Sequence, residues 1–393
     1  MMPEKILAWG RNRSCIRELA EYGARRKQEI GAENVYDFSL GNPSIPSPPC
    51  VNETVLELIQ SGDPTLHAYT TAAGRLSLRQ AIADDMHRRG VDCIAPELIY
   101  VTCGAASALA STLRAVLLPG DEVMVMAPFF PEYRVFSEAC SASLAIVPPG
   151  KDFQIDVDAV AAKLSVRTRA VILNSPNNPS GVVYSEETLK ALAEVLVRAQ
   201  HIYGRHIYLI SDEPYRDLVY DIERTPTALN YYNNAIQCYS WSKALSLPGE
   251  RIGYVAVSTR MKNGANVYAG IMGAARSYGY VNPPSLFQRV MERCVSETVD
   301  ITPYRENRDL LCGGLREIGY EFCPPQGAFY LFVKTLEPDA KAFSERAKQH
   351  ELLLVPGDDF GCGGYVRIAY CVSKDMIRRS LPAFRALYEE YQK

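Results

Sequence analysis

Five short segments place polar, aromatic or cationic residues directly after apolar runs. Tyr239-Ser240-Trp241-Ser242-Lys243 ends in a lysine, and Arg251 follows eight residues on. A lysine amine becomes a nucleophile or base once its surroundings lower its pKa, whereas most lysines are simply solvated. Ser211-Asp212-Glu213-Pro214-Tyr215 sets a carboxylate at the end of an apolar run, where burial is costly unless the group is paired. Two readings fit Asp212: a helix cap, or an anion that holds a cationic ligand nitrogen. Asn174-Ser175-Pro176-Asn177-Asn178-Pro179-Ser180-Gly181 is turn chemistry, or a turn that aims an Asn amide into a cleft. Ala127-Pro128-Phe129-Phe130-Pro131-Glu132-Tyr133 suits core packing, or an aromatic plane against a flat heterocycle. Val101-Thr102-Cys103-Gly104-Ala105-Ala106-Ser107 runs through small residues into a helix. It is a tight turn or a phosphate cradle of unpaired N–H groups. Together the segments offer an anion cradle, an aromatic, an amide, a carboxylate and a lysine. These are the parts that a phosphorylated pyridine aldehyde requires.

The elements that position them are short β-rich runs: Ile99–Thr102, Val123–Met126, Leu144–Val147, Ala170–Leu173, Tyr208–Ser211, Ile236–Tyr239 and Gly253–Val257. Several are continuously apolar, as strands buried on both faces are. Helical patterns such as Ala105–Leu118 and Ser185–Gln200 alternate with them, the latter with Ser185 as N-cap. The pattern predicts an α/β fold around a mostly parallel sheet flanked by helices, with the ligand beyond the strand carboxyl ends. After about Pro284 it changes. Ser285–Gly319 reads as helical, Phe329–Val333 and Tyr365–Tyr370 as strands, and Lys374–Tyr391 as a last helix. This is a second, smaller α/β region. The segment before Pro46 is expected to pack with it, because Pro43, Pro46, Pro48 and Pro49 mark a break. The expected division is 47–285 for the large domain, with 1–46 and 286–393 forming the small one.

Composition narrows the function. The net charge of −3 with mixed signs gives no basic surface for nucleic acid or anionic membrane. No apolar stretch is long enough to span a bilayer, and Met1–Arg26 has no signal-peptide core, so a cytoplasmic location is the default. The 11 cysteines are an odd count without a C-x-x-C pair, which reads as free thiols. The five histidines do not stand with cysteines at metal spacing, and no metal is expected.

These motifs, in this order and over nearly the whole chain from Ser39-Leu40-Gly41-Asn42-Pro43 to Arg367, resemble the fold-type I pyridoxal 5′-phosphate (PLP) enzymes of the class I/II aminotransferase family. The resemblance implies a seven-stranded sheet in a large PLP-binding domain, a small domain built from both chain ends, and a homodimer with shared active sites. It gives Lys243 the Schiff-base role and Asp212 the pyridinium nitrogen. Tyr215 and Asn178 hold the ring 3′-oxygen. Ser240, Ser242 and Arg251 bind phosphate with the Gly104-Ala105-Ala106 turn. Phe130 stacks on the ring, and Tyr69 reaches the partner subunit's phosphate. Arg367 binds the substrate α-carboxylate, with Gly41 and Asn178 beside the substrate. Some positions depart from the best-known members. Ala105 and Ala106 lack side-chain hydroxyls, and Phe130 replaces a tryptophan. Ser277 stands where dicarboxylate-specific members carry an arginine before Asn282-Pro283-Pro284, with Arg276 one residue off.

What the resemblance implies is ping-pong transfer of an amino group from an α-amino acid to a 2-oxo acid, through the Lys243 Schiff base. The alternative on the same scaffold is a β-eliminating C–S lyase. Two other classes fit less well. A regulator's effector module would carry an extra DNA-binding domain before the Gly41 motif. A nicotinamide oxidoreductase would need G-x-G-x-x-G where the Gly104 turn stands.

Overall fold

The computed structural model describes residues 3–11 and 14–393. All seven anticipated strands of the large sheet form, each within two residues of its expected bounds. They are preceded by β1 (Tyr36–Asp37) and run β2 (Ile99–Thr102), β3 (Glu122–Met126), β4 (Ser143–Val147), β5 (Thr168–Asn174), β6 (Tyr208–Asp212), β7 (Ala235–Ser240) and β8 (Gly253–Val257). Their order across the sheet is β2-β8-β7-β6-β5-β3-β4. Strand β8 is antiparallel to both neighbours; the other pairings are parallel.

Why the strands read as unbroken apolar runs is visible in their packing. Alternate residues of a strand point to opposite faces. Ile99, Val101, Met124, Met126, Val171, Leu173 and Leu209 join the core on one face. Tyr100, Val123, Val125, Ala170, Ile172 and Ile210 join the core on the other. Helices cover both faces. The helix Glu186–Tyr203 begins where Ser185 Oγ accepts from Thr188 N at 3.1 Å and ends at left-handed Gly204.

A second core gathers under four further strands: β9 (Tyr330–Lys334), β10 (Leu352–Leu353), β11 (Val355–Pro356) and β12 (Tyr365–Ala369). Strands β11, β12 and β9 form an antiparallel sheet, and β1 pairs with β10 in parallel, Tyr36 opposite Leu352. Both ends of the chain therefore meet here, with Leu19 and Val35 packed beside Phe332, Leu353 and Val355.

One expectation needs correction. The stretch Ser285–Gly319 is not one helical run: it divides into Ser285–Cys294 and Thr302–Ile318. The second starts afresh at Pro303 in its first turn, with Asp300 Oδ1 accepting from Thr302 N at 2.9 Å. Further, the helix Ser285–Cys294 lies beyond the expected division at 285 yet packs with the large sheet's core. Val290, Met291 and Cys294 sit with Val51, Leu78 and Ile82.

Candidate active site

A cleft of about 310 Å³ opens at the carboxyl ends of β2, β5, β6 and β7, where a mostly parallel sheet leaves its crevice. Its walls hold Gly41, Ala105, Ala106, Phe130, Asn178, Asp212, Tyr215, Ser240, Ser242, Lys243, Arg251 and Arg367, all expected from the sequence. They also hold Ile16, Asn174 and Tyr330, which sequence reasoning gave no role. Because β8 runs against its neighbours, its start rather than its end lies at this edge. That brings Arg251 beside the Gly104 turn.

Each strand end sets one group. Asp212 closes β6 and is buried. Its Oδ2 accepts the Tyr133 hydroxyl at 2.6 Å, while Oδ1 is buried without a partner. Burial raises the Asp212 pKa to about 7, against the lowering effect of the Tyr133 bond. Asn174 ties the ends of β5 and β6 together. Its Nδ2 donates to Asp212 O at 2.9 Å and its Oδ1 accepts from Asn178 N at 2.7 Å. Lys243 follows β7 on a short helix, Trp241–Ala244, and its Nζ donates to Gly41 O at 2.6 Å. Burial lowers its pKa to about 8, helped by Arg367 and Arg251 and opposed by Cys371, so part of the amine is neutral near physiological pH.

The phosphate-type cradle is built at the start of the helix Ala105–Val116. Gly104 has φ 86°, and a Cβ there would stand 2.7 Å from Arg251 Nη2. Only glycine lets the guanidinium lie on this turn. Arg251 is itself left-handed at φ 53°, a conformation that costs a non-glycine residue about 1–2 kcal/mol. It donates to Pro248 O at 2.8 Å and Cys103 O at 3.3 Å. Ser240 Oγ donates to Ser242 Oγ at 3.1 Å across the same turn.

On the opposite wall Arg367 of β12 is 2% exposed. It donates to Asn178 Oδ1 at 3.1 Å and Ser39 O at 2.5 Å, while its Nε is buried without a partner. Its guanidinium lies between the Tyr330 and Phe360 rings, 4.8 and 5.2 Å from their centroids. The three successive carbonyls of Ser39, Leu40 and Gly41 accept from Arg367, Cys371 and Lys243 in turn. A Cβ on Gly41 would collide with the Tyr330 hydroxyl. Gly41→Ala is therefore expected to lower kcat/KM about 10²-fold by displacing groups at the reaction centre. Steady-state kinetics beside a thermal melt separate that loss from unfolding.

Tyr69, expected at the partner's phosphate, and Arg276, the near-match for the family's second arginine, lie elsewhere. Tyr69 is on the outer surface, 93% exposed. Arg276 is exposed and does not line the cleft. Tyr133 and, most notably, Tyr330 are among the residues that the sequence left without a role. Their only signal was position, Tyr133 three residues after Phe130 and Tyr330 at a strand start.

The balance of charge decides what fits. Among the described residues, Lys243, Arg251 and Arg367 each lack a carboxylate partner, and Asp212 is the sole acid on the wall. A ligand with a phosphate, a carboxylate and one cationic nitrogen would complete Arg251, Arg367 and Asp212, and leave the Lys243 amine to react. The orphaned Oδ1 of Asp212 calls for that nitrogen. The residues present fit PLP, and fold and site together define a PLP-dependent enzyme of fold type I.

The comparisons narrow this to a family. The family described as aminotransferase class I and II matches residues 33–384, and the chain belongs to it. An aspartate aminotransferase of Thermotoga maritima is 30% identical over 371 residues, covering 93% of this chain and 95% of that one. The crystal structure of an aminotransferase from Eubacterium rectale superposes with a TM-score of 0.97 at 49% identity, covering all of both chains. The aspartate aminotransferase of Thermus thermophilus, solved with maleate, gives 0.87 at 27% identity over 98% of this chain and 99% of that one. The protein is a PLP-dependent aminotransferase; the lyase alternative finds no support among these relatives.

Proposed function

We propose that this cleft carries out ping-pong amino transfer between an α-amino acid and a 2-oxo acid, with Lys243 as both tether and proton carrier. The observation that carries the reading is the set of three cations without acid partners around one orphaned carboxylate oxygen. Bound there, the cofactor supplies an electron sink for the carbon that loses its proton.

The chain's own groups do the rest. Arg251, Ser240, Ser242 and the N–H groups of Gly104, Ala105 and Ala106 hold the phosphate, with the positive end of a helix behind them. Asp212 keeps the ring nitrogen protonated. A cationic nitrogen beside the carboxyl would offset the burial that raises its pKa, so carboxylate and protonated ring would favour one another. Tyr215 and Asn178 stand ready for the ring oxygen, and Phe130 covers the ring face. Arg367 grips the substrate carboxylate with two parallel N–H bonds and so fixes Cα for proton loss. Once free, the Lys243 nitrogen would take the proton from Cα as a base and deliver it as an acid to the cofactor's former aldehyde carbon. Its lowered pKa suits both halves of that task. Gly41 O is the acceptor that steadies the amine while it is free.

A homodimer completes this reading. Tyr69 is exposed, as are Leu76, Tyr280 and Val281. The segments that carry them are joined by Gln288 Nε2 to Thr70 Oγ1 at 3.1 Å and Ser285 Oγ to Leu66 O at 3.0 Å. An apolar and aromatic rim of this kind suits burial against a second copy, where Tyr69 would reach the neighbouring phosphate. A cytoplasmic location accords with 11 unpaired cysteines; no helix among the described residues is long and apolar enough to cross a membrane.

The reading is tested by adding single amino acids to the PLP-loaded protein without an oxo acid. A true donor converts the bound cofactor stoichiometrically to its pyridoxamine form and releases one oxo acid per site, and a panel ranks donors, with aspartate included because of its use by relatives. Continuous ammonia release without an oxo-acid acceptor would overturn amino transfer in favour of elimination.

A further inference from the structure

Tyr330 is the cleft residue that touches both halves of the reaction. It opens β9, opposite Ala369 of β12, and is buried. Its hydroxyl lies 2.9 Å from the Tyr215 hydroxyl. The two rings meet edge to face at 5.6 Å, which fixes that contact. Its ring face lies 4.8 Å from the Arg367 guanidinium carbon. The oxygen also stands against Gly41, where no Cβ could enter.

We propose that Tyr330 is a positioning residue that acts in two directions, through Tyr215 on the cofactor and through Arg367 on the substrate carboxylate. The inference rests on the assignment of Tyr215 and Arg367 made above. A phenol carries a single proton. If Tyr215 gives its proton to the cofactor's ring oxygen, the proton between the two tyrosines must come from Tyr330. Tyr330 then donates, and Tyr215 becomes the better donor in turn, because hydrogen bonds in a chain polarise one another. The Tyr330 hydroxyl keeps its proton for this task, since burial raises its pKa to about 12. The ring does separate work. A guanidinium without a carboxylate partner is held by two aromatic faces, Tyr330 and Phe360. It is thereby aimed before any substrate arrives. The hydroxyl thus serves the cofactor and the ring serves the substrate, and two variants separate them.

Tyr330→Phe removes the hydroxyl and keeps the ring. Tyr330→Leu removes both. Each is loaded with PLP, and two quantities are read beside a thermal melt. One is the pH midpoint of the absorbance change of the lysine-bound cofactor. The other is the Kd for propionate, a carboxylate without an amine, from its effect on that absorbance. Less donation to the ring oxygen leaves more negative charge beside the lysine nitrogen, so its proton is held more tightly. Tyr330→Phe should raise the midpoint by about half a unit to one unit, with the propionate Kd within about twofold of wild type. Tyr330→Leu should raise the midpoint likewise and weaken propionate about 3- to 30-fold. If Leu does not fold, Tyr330→Met fills the space with a flexible side chain and carries the same expectation. An unchanged midpoint in Tyr330→Phe overturns the link through Tyr215. An unchanged Kd in Tyr330→Leu or Tyr330→Met overturns the link through Arg367. A wild-type protein that shows no pH-dependent absorbance with PLP would instead overturn the Lys243 assignment itself.

Discussion

Lys243→Ala is expected to lower turnover by more than about 10⁴-fold, the upper range for a single positioned base. The loss should exceed a base's share because the proposed roles give one nitrogen two tasks, tethering the cofactor and carrying the proton at Cα. Arg251, Arg367 and Asp212 remain, so the variant should still bind PLP without a covalent bond. Reduction with borohydride followed by peptide mass analysis shows the difference. Wild type retains the label on the peptide that contains Lys243, and the variant retains none. Substantial amino transfer by the variant would mean that another amine does the work. The cleft offers no second lysine. Because burial holds Lys243 near pH 8, the fraction of free amine able to accept a proton rises as pH increases through that value.

Asp212→Asn is the second large effect, a fall in kcat of about 10²- to 10³-fold. That is the usual result of removing one preorganised electrostatic partner from a dry site. The amide keeps the size of the carboxyl and can still accept the Tyr133 hydroxyl, so packing should hold. What goes is the negative charge proposed to favour a proton on the ring nitrogen, and with it the ring's ability to take up electrons. Measured kcat, with KM for the amino acid nearly unchanged, would show the loss in the proton-transfer step rather than in binding. A near-normal kcat would mean that the unpartnered Oδ1 faces something other than the ring nitrogen.

How much of this was legible in the sequence depended on distance along the chain. Most of the seven strands were legible because both of their faces are buried, so composition alone marks them, although the edge strand β4 is half-buried on one face. The groups at their ends were legible because each follows its strand directly. Tyr133 and Tyr330 were not, since their partners Asp212 and Tyr215 lie 79 and 115 residues away. Nothing local to a tyrosine tells which carboxylate or phenol it meets. That the helix from residue 285 packs with the large sheet's core was hidden for a similar reason. The helix Ser285–Cys294 has an apolar stripe that suits either core, and only packing against Val51 and Leu78 assigns it. Ser285–Gly319 was read as one run because its helical pattern resumes after the break at Asp300–Pro303.

The pairing of Tyr36 with Leu352 also bears on the order in which a ribosome makes the molecule. Domains tend to form as units while synthesis proceeds. The segments that carry Asp212 and Lys243 leave the ribosome well before β9, β10 and β12. The first segment of the chain must therefore wait, unpaired, until nearly the last residues arrive. A product that stops before Arg367 would hold the lysine, the carboxylate and the phosphate turn, but would lack the arginine proposed to select a substrate by its carboxylate. Reactivity is translated early and discrimination late, and the two come together only in the finished chain.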